Sequence, residues 1–189
     1  MMPITYTNRK NKTYYLHQGT TKTGKPKYYF SQKSEGKLVD TIPEGFEIYE
    51  NPNAQVFLRR VQPKLITDEE IEIVRRGMER YCKVPYFKID VKKNVISIFM
   101  PNQNVEALSA LVAFAAREGR DLDLETLVNY SPELNFVLID AQKRRFMTQR
   151  YCYLGSIDDW IDIGKVDTLT NLVKSYVKHL GQESYYELY

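Results

Sequence analysis

With 189 residues, 43% hydrophobic and 27% charged, this chain has the composition of a folded globular protein of one domain, or of one domain with an appendage. That composition excludes disorder for want of apolar surface. The two cysteines are too few for a disulfide framework or a zinc site, and no apolar leader opens the N-terminus, so the expected location is the reducing cytoplasm.

The net charge of +3 is ordinary, but its placement is not. Residues 1–40 hold eight Lys and Arg against two acids, whereas the remaining 149 residues hold 19 basic and 22 acidic groups. Fifteen tyrosines are the one compositional excess. They suit half-exposed strands and wet interfaces.

In chain order, Thr13–His17 and Lys27–Ser31 read as the strands of a β-hairpin, with Gly19, Gly24 and Pro26 supplying its turn. Phe46–Glu50 and Gln55–Arg60 read as a second hairpin around Asn51-Pro52-Asn53. Together these predict a small four-stranded antiparallel β module over residues 1–63, ending near Pro63.

Residues 64–189 read as a second, α+β domain. Thr67 and Glu70 have the spacing of a capping box, with Ile66 and Ile71 as the hydrophobic staple, opening a helix that buries Ile71, Val74, Met78, Tyr81 and Cys82. Tyr86–Val91 and Val95–Met100 predict a third hairpin. A helix over 105–118 follows, apolar on nearly every side, with Gly119 after it. A helix with so little polar surface is expected at the centre of the core. A short helix capped by Asp123 should end at Ser131-Pro132. Leu134–Asp140 and Arg145–Leu154 predict a fourth hairpin, and Asp167 should cap a last helix running to Gly181. The order helix, hairpin, helix, stated twice, suggests an αββα pseudo-repeat, with Ile89-Asp90 matching Ile139-Asp140. The aromatic tail over 185–189 is expected to dock on its own core.

Chemistry points first to the N-terminal hairpin. Lys22, Lys25 and Lys27 lie in or beside its turn, and Tyr14, Tyr15, Tyr28, Tyr29 and Phe30 line its strands, with Arg9 and Lys12 just upstream. Cations for phosphates beside flat rings for bases is the combination nucleic-acid surfaces use, and a two-stranded ribbon fits a major groove. The segment from Tyr14 to Ser31, with Thr23-Gly24-Lys25 at its turn, resembles the strand–turn–strand of the small arm-type DNA-binding domains of phage and transposon integrases. That resemblance implies DNA contact through this hairpin. The helix that packs behind the sheet in those domains does not follow here, and residues 65–189 have no likeness to a recombinase catalytic domain. The plainer alternative is a solvated lysine hairpin that guards a sheet edge.

Other constellations carry less. Asp90-Val91-Lys92 has the form of the acid-x-lysine element of metal-dependent nucleases but lacks a second carboxylate upstream. Asp158, Asp159 and Asp162 surround Trp160, framed by Gly155 and Gly164, and read as acids in the first turn of a helix rather than as a cation site. Cys82 and Cys152 read as core thiols. No serine elbow, phosphate-cradling loop or zinc spacing is present. The expectation is a non-catalytic nucleic-acid-binding or regulatory protein without cofactor, metal or membrane. The alternative is a protein-interaction or scaffold protein with an aromatic subunit interface, including one between copies of itself; a nuclease or hydrolase ranks third.

Overall fold

A computed structural model describes residues 2–154 and 156–189, without the side chains of Leu154 and Ile157; the framing Gly155 lies outside the described residues. The fold is α+β, with helices and three antiparallel sheets. The chain divides into two compact units, Met1–Val61 with Gln103–Asn129, and Gln62–Asn102 with Tyr130–Tyr189.

In the first unit, β1 (Thr5–Thr7), β2 (Thr13–Thr20) and β3 (Pro26–Ser31) form one sheet, and β4 (Phe46–Glu50) and β5 (Val56–Arg60) form another. The single four-stranded sheet expected from the two hairpins is therefore not formed. The flank of β2 is filled instead by β1 and by residues 37–39, where Gln18 N donates to Lys37 O and Val39 N to Leu16 O, both at 2.9 Å. Two asparagines shape the tight turns in the same way. Asn8 Oδ1 accepts from the backbone of Lys10 and Lys12 between β1 and β2, and Asn51 Oδ1 accepts from that of Asn53 and Gln55 between β4 and β5. Asn8 Nδ2 then donates to Ala54 O at 2.6 Å, tying the turns together. Leu16, Ala54, Val56, Ala115 and Val128 are among the buried apolar residues of this unit.

The segment expected at the heart of the second domain belongs to this first unit. Helix α2 (Val105–Arg117) is capped by Asn104, whose Oδ1 accepts from Ala107 N at 3.0 Å. Of its residues only Ala115 is buried, while Leu111 is 49% and Phe114 61% exposed. The expectation of a buried central helix is thus corrected: hydrophobicity says that a surface prefers cover, not which element supplies it. The short α3 (Leu124–Leu127) is one turn capped by Asp123.

In the second unit, α1 (Asp68–Tyr81) leads into a five-stranded meander: β6 (Lys88–Lys92), β7 (Val95–Pro101), β8 (Tyr130–Asp140), β9 (Arg145–Leu154) and β10 (Ile157–Thr168), then α4 (Leu169–Tyr176). The strands lie in chain order, all antiparallel. Alternation sends Ile96, Ile98, Leu134, Phe136, Leu138 and Phe146 to one face, where they cluster with Val74 and Met78 of α1 and Leu172 and Val173 of α4. Each such fully buried side chain contributes roughly 2 kcal/mol, so this cluster is the main store of stability. The capping box of α1 is formed, with Glu70 N donating to Thr67 Oγ1 at 3.3 Å and Thr67 N to Glu70 Oε2 at 2.9 Å.

Four expectations fail here, the last being the Asp167 cap and the extent of the final helix. Residues 157–162 are strand β10, not the first turn of a helix. Ser131-Pro132 sits inside β8, at an irregularity where the register slips between Ile98 and Phe99, which is where a strand tolerates proline. The αββα pseudo-repeat is absent, because α3 is a single turn and β10 gives the second half a third strand. The last helix ends at Tyr176 and continues as a 3-10 turn through His179, with Thr168 at its N-cap position.

Candidate nucleic-acid interface

Register sorts the hairpin's residues by face. Tyr15 lies opposite Ser31, His17 opposite Tyr29 and Gly19 opposite Lys27, so these six share one face of the β2–β3 pair; Tyr14, Leu16, Gln18, Tyr28 and Phe30 share the other. The second face turns inward: Leu16 is fully buried, and the Tyr28 ring packs 6.5 Å from that of Phe46. Tyr28 is thereby separated from Tyr29, its sequence neighbour and expected partner in binding.

The first face carries an open ring. Tyr29 is 44% exposed and stacks on His17, with ring centroids 5.3 Å apart and planes inclined by 12°. His17 is itself buried and fixed from the far side, its Nε2 hydrogen-bonded to Lys33 O at 2.9 Å. A Cβ at Gly19 would stand 3.3 Å from Tyr29 Cε1, so the missing side chain leaves room for the ring to lie flat. The result is a rigid aromatic shelf with one side open to solvent. Lys27 sits at its edge, and Tyr15 is partly exposed on the same face.

The turn itself is compact. Thr21 N donates to Lys25 O at 2.8 Å, Gly24 N to Thr21 O at 3.0 Å, and Lys25 N to Thr21 Oγ1 at 3.1 Å. Gly24 takes a φ of +80°, which glycine adopts without strain. Lys22, Lys25 and Lys27 are exposed, and their ammonium groups form no ion pair or hydrogen bond among the described residues. Lys12 is also exposed, but at the opposite end of β2, roughly 25 Å away at about 3.3 Å per residue.

Arg9 does other work. Its Nε donates to Glu50 Oε1 at 2.7 Å, and its guanidinium also reaches Asn51 O, joining the turn after β1 to the turn after β4. Burial opposes the charge on Glu50, yet the hydrogen bonds from Arg9 and Tyr6 outweigh it and hold the carboxyl below its usual range. Arg9 is accordingly a clamp within the unit. Sequence reasoning missed both this role and the His17–Gly19 support under Tyr29; the alternation His17-x-Gly19 in a strand was the available signal.

The remaining candidates are dispersed. Asp90 lies 3.5 Å from Lys92, and among the described residues no three His, Cys, Asp or Glu side chains are grouped to hold a metal ion. Asp158 accepts from the Tyr151 hydroxyl at 2.6 Å, a bond that pushes the phenol up to about 12, while Asp162 accepts from Gln149 at 2.8 Å. Cys152 is buried, and desolvation raises the half-buried Cys82 thiol. No helix among the described residues is long and apolar enough to cross a membrane. Comparison with known protein families, with curated proteins and with solved structures finds no match.

Proposed function

We propose that this is a non-catalytic nucleic-acid-binding or regulatory protein of the cytoplasm that contacts DNA or RNA through the β2–β3 hairpin. The observation that carries the reading is the Tyr29–His17 stack, an exposed ring held flat beside Lys27. A preset aromatic shelf suits stacking by an unpaired base, and base–aromatic stacking is worth roughly 1–3 kcal/mol. Lys22, Lys25 and Lys27 supply positive charge for the adjoining backbone. Tyr15 extends the shelf, and Lys12 lies just before the far end of the strand. The two free cysteines agree with a reducing compartment.

Fluorescence anisotropy with labelled single-stranded and duplex oligonucleotides over a salt series tests this. Three phosphate contacts on a single strand give a slope of log K against log salt of about −2. Replacing Lys22, Lys25 and Lys27 with Glu should abolish binding, and Tyr29→Ala should weaken it between about fivefold and a hundredfold. Absence of binding at low salt, or unchanged affinity in the triple variant, would remove the hairpin from this role.

A further inference from the structure

The outward face of α2 is an apolar surface that the fold leaves bare. At 100° per residue, Glu106, Ala107, Ala110, Ala113, Phe114 and Arg117 fall on one side, and all six are exposed. Leu111 borders them at 49% exposure and Phe114 stands at 61%. From 107 to 116 the helix has no charged side chain. A solvent-facing helix ordinarily carries charge along its outer stripe, and a contiguous bare apolar stripe marks a contact surface.

The order of residues along this stripe says what fits it. An acid stands in the first turn and a base in the last, with alanines between. We infer that the outward face of α2 docks antiparallel against the same face of a second copy of this chain, across a two-fold axis between residues 111 and 112. That axis sets Glu106 against Arg117 of the second copy, twice over, and Ala110 against Ala113 of the second copy. A surface that complements itself under a two-fold is what an isologous dimer requires. The alanines allow the helix axes to approach to about 8 Å, with Leu111 and Phe114 filling the sides of the seam. Glu106 and Arg117 form no ion pair within their own chain among the described residues, so both are free to make this one. The helix dipoles run antiparallel in the pair, which adds to the attraction. A 13-residue helix is about 20 Å long, and the area it covers falls short of the roughly 800 Å² per partner of a standard interface. The dimer is therefore reversible, and concentration should govern it. This inference does not involve the hairpin, so it stands or falls separately from nucleic-acid binding.

Sedimentation velocity over a wide concentration range, without nucleic acid, tests it on the full chain. The unaltered protein should pass from monomer to dimer as concentration rises. Phe114→Asp should weaken self-association at least about tenfold while leaving the circular dichroism spectrum and the unfolding transition intact, because the ring is exposed. Glu106→Arg and Arg117→Glu should each weaken it, and the double exchange should restore it, since both pairs re-form with reversed sign. A monomer at every concentration overturns the inference. So does a dimer indifferent to Phe114→Asp, or a double exchange no better than the single changes. Loss of cooperative unfolding in Phe114→Asp would mean that the chain itself covers this face, and would overturn it equally.

Discussion

Glu70 and Arg144 are joined by a two-toothed ion pair across 74 residues of sequence. Arg144 Nε donates to Glu70 Oε1 at 2.8 Å and its Nη2 to Oε2, while the same carboxylate receives Thr67 N and so closes the cap of α1. Arg144 occupies the β8–β9 turn at a φ of 47°, and its guanidinium also reaches Leu65 O at 3.2 Å. One carboxylate thereby pins the start of a helix to a hairpin of the sheet it covers.

Shared use of Glu70 predicts non-additive losses. Thr67→Ala should cost about 1 kcal/mol, the usual value of an N-cap. Arg144→Ala should cost about 2 kcal/mol, because it leaves the buried Glu70 without its cation. A double-mutant cycle of Arg144→Ala with Glu70→Gln, followed by chemical denaturation, should give a coupling of about 1 kcal/mol or more. A coupling near zero would make the pair incidental.

Gly77 of α1 faces Val173 of α4. A Cβ there would stand 2.0 Å from Val173 Cγ1. Alanine gains about 1 kcal/mol in helix propensity, but overpacking of a rigid valine costs about 1–3 kcal/mol. Gly77→Ala should lower Tm, and adding Val173→Ala should recover part of the loss. A rise in Tm for Gly77→Ala alone would mean that the helices separate freely.

Arg150 anchors the C-terminal tail. Its guanidinium is buried and donates from Nε to Leu188 O at 2.8 Å, with the Tyr185 and Tyr189 rings 5.9 and 5.7 Å away. Tyr185 is buried beside it and donates its hydroxyl to Glu133 O at 2.5 Å, so the expected docking of the tail is made by this residue. Arg150→Ala should cost about 2 kcal/mol through the unpaired carbonyls it leaves. Limited proteolysis should then cut after Tyr186 well before the body of the protein; an unchanged cleavage pattern would count against the anchor.

Two carboxyls should respond to pH in opposite senses. Glu50, held below the ordinary 4.5, contributes stability that is full above 4.5 and is lost as pH falls toward its folded value. Burial raises Glu133 above the same 4.5, so this group makes the fold less stable as pH climbs from 4.5 through its raised folded value. Glu133→Gln should therefore raise Tm at pH 7 and leave it unchanged below pH 4. Glu50→Gln should lower Tm at pH 7, with the difference shrinking in acid. Thermal melts between pH 3 and 7 check both signs.

The candidate interface is partly legible in the sequence. A cationic turn between tyrosine strands is visible because the residue types and the turn signals lie within twenty consecutive positions. What the sequence could not separate were the two faces. Tyr28 and Tyr29 look alike in a row, yet only the pairing of β2 with β3 sends one toward Phe46 and leaves the other above His17. Arg9 looked as available as Lys12 until the fold brought Glu50 within reach, 41 residues away.

By itself the sequence determined the elements whose cause is local. The capping box at Thr67 and Glu70, the turn at Asn51-Pro52-Asn53 and the alternation of Phe46–Glu50 depend on neighbours within a few residues, so their pattern is complete in one stretch. Tertiary structure alone decided which surfaces are covered. Asp158, Asp159 and Asp162 could open a helix or decorate an edge strand, and pairing with β9 chose the strand. Helix α2 is apolar enough to be a core, yet five strands, α1 and α4 already fill that position, and burial depends on what else competes for the same space.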